Sequence, residues 1–437
     1  MSGEALTAAQ KALRMNLDPA WYGTLAEIGG GQEVARWFFV VGGAAGTVAK
    51  SISAYDMTVS DGIYGRSRRY VSRERLEQML EREYVSLCQS LAAARGETTA
   101  FFVFADTVAT RSYGRHDDGV GWLGIRFQER PGAEPRQIIL HARLLDADTA
   151  RQQEALGLLG VNLIHAAWSL RGELDGLVAA LGQGLSTESV EVDFVHVTGP
   201  EPSPDVRRLN VGLVLHKVAR AVTFGLDGEP CEPSATLYKR AAFVVREPFD
   251  TVLREDRDML AAAAAQLPGE GERETPVLLA EVCAADPRTG RRAEPGDLLA
   301  RVAALAGAGL VVLVTDLPEV FRVASYLRRY AAPRVVLVLG TQTFAGLFRD
   351  RPFEQLEGGM FEALGRLFKP WVRLALHPDR DPRTGALLRL NALTLPPEYR
   401  HLVRHLLDNE LICELEPIAA MGPSSDGAAR MSQTKVP

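Results

Sequence analysis

Three glycines, two hydroxyls and a lysine crowd into ten residues, Gly42-Gly43-Ala44-Ala45-Gly46-Thr47-Val48-Ala49-Lys50-Ser51, directly after the apolar run Trp37-Phe38-Phe39-Val40-Val41. Read as an apolar strand that breaks into glycine and enters a small-residue helix, the pattern offers backbone N–H groups to a phosphate. Gly42, Gly43 and Gly46 would let the backbone approach the ligand, Thr47 and Ser51 would add hydroxyls, and Lys50 a positive charge. The spacing is not that of a Walker loop, where Gly and Lys are adjacent, nor of a dinucleotide fingerprint, which needs glycine at Val41. A tight crossing in which small residues merely permit close packing accounts for the same residues.

Ligands of parallel sheets gather at the carboxyl ends of strands. There the sequence places Asp106, His196, Glu281, Asp316 and His377. Lys50, Asp106, Glu281 and Asp316 form the candidate catalytic set, although an N-capping role explains Asp316 equally well. No metal site is expected: the eight histidines are scattered, and His401 and His405 share a helical face without the glutamate of a zinc-protease motif. No Gly-x-Ser-x-Gly elbow is present, so a nucleophilic hydrolase has no support. Tyr55-Asp56-Met57 and Gln152-Gln153-Glu154 are polar enough for a pocket but bring no assigned chemistry, and the sequence indicates no cofactor.

Periodicity supplies the elements that would hold these groups. Ser72 can cap a long helix over 73–94 with Leu76, Met79, Leu80, Tyr84, Leu87 and Leu91 as its apolar stripe. Strands are expected over 101–105, 122–127, 138–144 and 190–197, helices over 149–168, 173–180, 206–222 and 251–267, and an extended segment over 237–245. Beyond a polar linker at 268–275 the pattern becomes regular. Strands at 277–282, 310–314, 335–339 and 372–376 alternate with helices at 297–308, 318–330 and 360–368. Strands that are apolar throughout imply a parallel sheet covered on both faces. Gly358-Gly359 is expected to start the last of those helices. The expected class is therefore α/β, with two doubly wound, mostly parallel-sheet domains over 20–267 and 276–420 and a disordered tail over 421–437.

Composition narrows the setting. A net charge of −6 argues against sequence-independent nucleic-acid binding, although Arg66-Ser67-Arg68-Arg69 is a dense basic cluster best read as a solvated loop. Four scattered cysteines suit reduced thiols in a cytoplasm. No signal peptide is recognisable, and no apolar run is long enough to span a bilayer.

Residues 42–57, the segment Gln152-Gln153-Glu154-Ala155-Leu156-Gly157 with Gly160-Val161-Asn162, Leu237-Tyr238-Lys239, and the run from Leu356 through Gly358-Gly359-Met360 to Phe368 carry a family resemblance. Together they resemble a bacterial family of long intracellular proteins, some of whose members have been named nicotinate-nucleotide adenylyltransferases. The resemblance covers most of 21–378. That activity would require a His-x-Gly-His element, which is absent, so the resemblance carries over no catalytic residue. The leading expectation is a cytoplasmic protein, enzyme or sensor, binding a nucleotide or small phosphorylated metabolite at 42–51. The alternative is a homo-oligomeric scaffold whose glycine-rich segments pack subunits; a nucleotidyltransferase comes third.

Overall fold

Thr7 opens α1 (Ala8–Asn16) with a capping box shared with Gln10. The chain then forms β1 (Trp21–Ile28), α2 (Glu33–Val40), β2 (Val48–Ile52), α3 (Met57–Tyr64), α4 (Arg73–Arg95) and β3 (Ala100–Ala109). As expected, Ser72 caps α4, its hydroxyl accepting from the Arg75 amide. β4 (Gly119–Gln128), β5 (Pro135–Leu144), α5 (Thr149–Leu170), α6 (Leu177–Leu181) and β6 (Val190–Thr198) follow. This computed structural model describes residues 6–111, 118–171, 174–246, 256–269, 274–286, 289–330, 333–349, 353, 356–380 and 383–416.

These strands make a six-stranded sheet in the order β2-β1-β3-β4-β5-β6. β1 runs parallel to β2 and β3, whereas β4, β5 and β6 add antiparallel. Both faces of β1 and β3 are covered. Leu76, Met79, Leu80, Tyr84 and Leu87 of α4 pack with Phe101, Val103 and Ala105. On the other face Gly160 of α5 lies against Val34 of α2 and Phe104 of β3, so close that a Cβ there would sit 2.3 Å from Val34.

The run Trp37-Phe38-Phe39-Val40-Val41 is not a strand. It closes α2, and the glycine segment that follows is a turn leading into β2 rather than into a helix. The physical reason is helical periodicity: Val34, Ala35 and Phe38 are buried, while Phe39 and Val40 are 53% and 65% exposed.

The remaining elements are α7 (Val206–Leu215), β7 (Ala221–Phe224), β8 (Pro230–Cys231), α8 (Pro233–Leu237), β9 (Ala242–Arg246), α9 (Asp256–Gln266), β10 (Val277–Cys283), α10 (Pro295–Gly307), β11 (Val311–Thr315), α11 (Val320–Arg329), β12 (Val335–Gly340), α12 (Thr341–Arg349), α13 (Gly359–Leu367), β13 (Val372–His377), β14 (Asp379–Arg380), β15 (Leu387–Leu388), α14 (Arg400–Asp408) and β16 (Ile412–Glu414). The helix expected over 206–222 stops at Leu215, because Lys217 turns left-handed at φ +57° and the Val218 and Ala219 amides return to the Leu213 carbonyl. The extended segment over 237–245 divides into α8 and β9 around Lys239, at φ +59°.

Two compact units divide the chain. One takes the described residues up to Tyr238 together with Glu281–Glu319; the other takes 239–246, 256–280 and those from Val320 onward. The units thus cross the expected boundary at 268–275, part of which (270–273) lies outside the described residues, as does the tail at 421–437. In the second unit β16, β13, β12 and β9 are neighbours in that order and all parallel. In the first, β7 pairs antiparallel with β11 and β8. The class is α/β. Among the described residues no helix is long and apolar enough to cross a membrane.

Candidate functional site

The glycine turn at 42–47 is built from the carboxyl end of α2, where helix carbonyls rather than amides face outward. Gly42 and Gly43 take φ +80° and +74°. The amides of Gly46 and Thr47 return to the Gly43 and Ala44 carbonyls at 2.9 and 3.0 Å. The Thr47 hydroxyl is buried and donates to the Met15 carbonyl at 2.9 Å, and Asn16 donates to the Phe38 and Gly42 carbonyls at 2.8 and 2.7 Å. These bonds tie α1 to the end of α2. Ser51 is half-buried on β2, and Lys50 is ion-paired with buried Glu83.

The four candidate catalytic residues each answer to a different partner. Asp106 lies beside Glu27. Glu281 is buried and accepts from the Thr315 hydroxyl at 2.5 Å. Asp316 accepts from Arg292 at 2.8 Å. Lys50 and Asp106 also lie on opposite faces of the sheet. Lys50 pairs with Thr24 and Asp106 with Glu27, and an offset of three on β1 reverses the face. Among the described residues no group of three or more His, Cys, Asp or Glu side chains is arranged to hold a metal.

A second glycine run lies where the topology favours a ligand. β1 leads through α2 to β2 on one side, and β2 leads through α3 and α4 to β3 on the other. β1 is therefore the switch in strand order, and sheets of this kind bind ligands at the carboxyl ends of the strands flanking the switch, here β1 and β3. Gly29-Gly30-Gly31 occupies that position directly before α2. A Cβ on Gly29 would lie 1.9 Å from the Val108 carbonyl oxygen of β3, so only glycine fits this approach.

Glu27 fixes the start of α2. Its two carboxylate oxygens accept from the Val34 and Ala35 amides at 3.0 and 2.8 Å. The Gln32 and Glu33 amides, the remaining donors of the first turn, have no partner among the described residues. The Gly31 amide donates to the Tyr55 hydroxyl at 3.2 Å, and Gln153 of α5 lies beside Gly31. Gln152, fully buried, accepts from the Arg111 amide at 2.9 Å and donates to the Leu144 and Asp146 carbonyls. It thereby shapes the chain leaving β3.

Beneath this turn two carboxyl groups share a dry site. Glu27 and Asp106 are buried, and Asp106 Oδ1 accepts from the Ile28 amide at 3.1 Å while Oδ2 has no partner among the described residues. Burial raises both carboxyl groups above their usual range; the Glu27 charge raises Asp106 further, and the nearby Glu33 charge adds to the rise of Glu27. Two amide donors favour the anion on Glu27, so Asp106 holds the proton. Both side chains are buried, and their bonds tie the Ile28 amide and the start of α2 to the sheet.

Sequence reading missed Glu27 and Gly29-Gly30-Gly31. The available signal was three consecutive glycines between an alternating run and an amphipathic one. It was masked because Thr24 and Glu27 interrupt the apolar pattern of β1, while residues 37–41 mimic a strand.

No protein-family model and no curated protein matches the chain. Among solved structures it is similar to the competence/damage-inducible protein CihA from Agrobacterium tumefaciens, at 18% identity over 38% of this chain and 98% of that one, with a TM-score of 0.28. It is likewise similar to a competence-damaged protein (CinA) superfamily protein from Enterobacter cloacae, at 15% identity over 39% of this chain and 96% of that one, also with a TM-score of 0.28. Likeness at this level carries no argument about the site.

Proposed function

We propose that the first unit binds a small phosphorylated metabolite or nucleotide at the carboxyl ends of β1 and β3. The turn at 29–32 and the start of α2 supply the main-chain donors. The observation that carries this reading is the pair of unpartnered amides at Gln32 and Glu33, at the helix start and at the switch in strand order. Tyr55 and Gln153 border the turn and are placed to select the rest of the ligand. The four cysteines form no disulfide, which suits action in a reducing cytoplasm.

The test is calorimetric titration with a panel of nucleoside mono- and diphosphates and sugar phosphates, on the wild type and on Glu33→Pro. Proline is favoured at the first helical position, where the N–H has no helical partner, so this change deletes one ligand donor and spares the helix. One hydrogen bond to a charged group is worth roughly 1.5–3 kcal/mol, so binding should weaken about tenfold or more. Unchanged binding by a folded Glu33→Pro protein, or no binding by the wild type, would overturn the reading.

A further inference from the structure

Between residues 66 and 75 the chain carries five arginines and one carboxylate, Glu74, immediately before and within the first turn of the 23-residue α4. Arg66, Arg68 and Arg69 are exposed and form no ion pair among the described residues. Arg75 is different: only 1% of it is exposed, and a single guanidinium nitrogen is satisfied, by Asp61 at 2.9 Å. Its Nε and Nη1 are buried without a partner. Unmet donors on a buried guanidinium are costly, and in native proteins each calls for an explanation such as an ion or water.

The side chain lies at the helix start. A residue in a first turn leans toward the amino terminus, and the Arg75 guanidinium carbon stacks 5.2 Å from the centre of the Tyr70 ring, two residues before the Ser72 cap. The Thr107 hydroxyl donates to the Tyr70 carbonyl at 2.6 Å, which pins this segment to β3 one residue beyond Asp106. The helix start and an unsatisfied buried cation therefore adjoin a segment that carries three exposed, unpaired cations. The helix start lies on the α4 face of the sheet, opposite the face covered by α2.

We propose that the start of α4 is a phosphate-binding site. A phosphate group sits on the first-turn amides, Arg66, Arg68 and Arg69 surround it, and Arg75 lies beneath. A small shift of the half-buried Tyr70 ring opens Nε and Nη1 to the phosphate oxygens. The charge favours a phosphate over a neutral ligand, and the fork of a guanidinium matches two of its oxygens. This inference does not rest on the α2 reading.

The experiment titrates the full chain with inorganic phosphate and pyrophosphate at low ionic strength, followed by calorimetry. The wild type is compared with Glu33→Pro, in which the start of α2 is weakened as a phosphate site, and with Glu33→Pro carrying Arg68→Gln/Arg69→Gln or Arg75→Met. Expected are saturable binding that persists in Glu33→Pro, at least tenfold weaker binding when the rim double change is added, and loss of binding when Arg75→Met is added. Because Arg68 and Arg69 are exposed, their variant folds and decides the matter even if Arg75→Met does not. Unchanged phosphate affinity on adding the rim changes, or no saturable binding by Glu33→Pro, would each overturn the proposal.

Discussion

Asp106→Asn should flatten the pH dependence of stability in the first unit. Glu27 is raised from an ordinary 4.5 to about 7, chiefly by burial, and Asp106 is raised as well, by burial and by the Glu27 charge. A carboxyl group whose folded pKa is raised holds its proton in the native state after the unfolded chain has lost it. Stability is then complete below the unfolded value and declines as pH rises through the folded one. For Glu27 alone a rise from 4.5 to about 7 corresponds to about 3.5 kcal/mol lost between about pH 4 and pH 8, at roughly 1.4 kcal/mol per unit. Asparagine reproduces the shape of the protonated acid and cannot ionise, so the variant should keep only the Glu27 contribution and lose less stability than the wild type. Urea unfolding at intervals across that range, read by tryptophan fluorescence, reports the effect. Four of the five tryptophans lie in this unit, Trp21 buried and stacked at 4.9 Å on Phe102. A wild type whose stability is flat or rises over this window, or an Asp106→Asn variant with the full wild-type slope, would refute the description of two buried carboxyl groups with raised pKa values.

Lys11 is buried, donates to Asn162 Oδ1 at 2.6 Å, and is lowered by burial to about 8. The wild type should therefore gain stability as pH rises from about 8 toward 10, and Lys11→Met should abolish that gain in the same unfolding assay. Gly359 begins α13 at φ +53° with open space where a Cβ would stand, so Gly359→Ala should cost about 1 kcal/mol through backbone strain alone, measured by chemical denaturation.

The regular strands were legible because their burial is local and continuous. β10, β11, β12 and β13 lie within one residue of the expected positions, each a run of valine, leucine and alanine buried along nearly its whole length. α4 was legible through Ser72 and a heptad-like stripe. The α/β class follows from that alternation, but the antiparallel half of the six-stranded sheet does not, since strand direction depends on connections rather than on the residues within a strand. The run 37–41 misled because bulky apolar residues on an exposed helical face look like a buried strand. Phe39 and Val40 belong to that exposed face.

The site was less legible for a nonlocal reason. Glu27 is buried only because Val34, Ala35 and the protonated Asp106 accommodate it, and no pattern within β1 announces that. Lys50 attracted attention as a free cation beside glycines, yet its charge is matched by Glu83 from α4. Gln152 and Gln153 were visible as a polar cluster, but their task of shaping the chain after β3 and bordering Gly31 depends on the topology. Arg75 sits in a basic stretch that reads as solvated, and only the fold reveals that it alone is buried there.

The proposed ligand site is the helix start after Gly29-Gly30-Gly31. Amide chemical shifts of Gln32 and Glu33, followed by TROSY NMR during titration with a nucleoside monophosphate or sugar phosphate that binds in calorimetry, test it most directly. These two amides should move downfield and saturate, together with Gly31, while the Gly46 and Thr47 amides stay in place. Saturable shifts confined to residues 42–51, or none at Gln32 and Glu33 when the ligand is fully bound, would contradict this assignment.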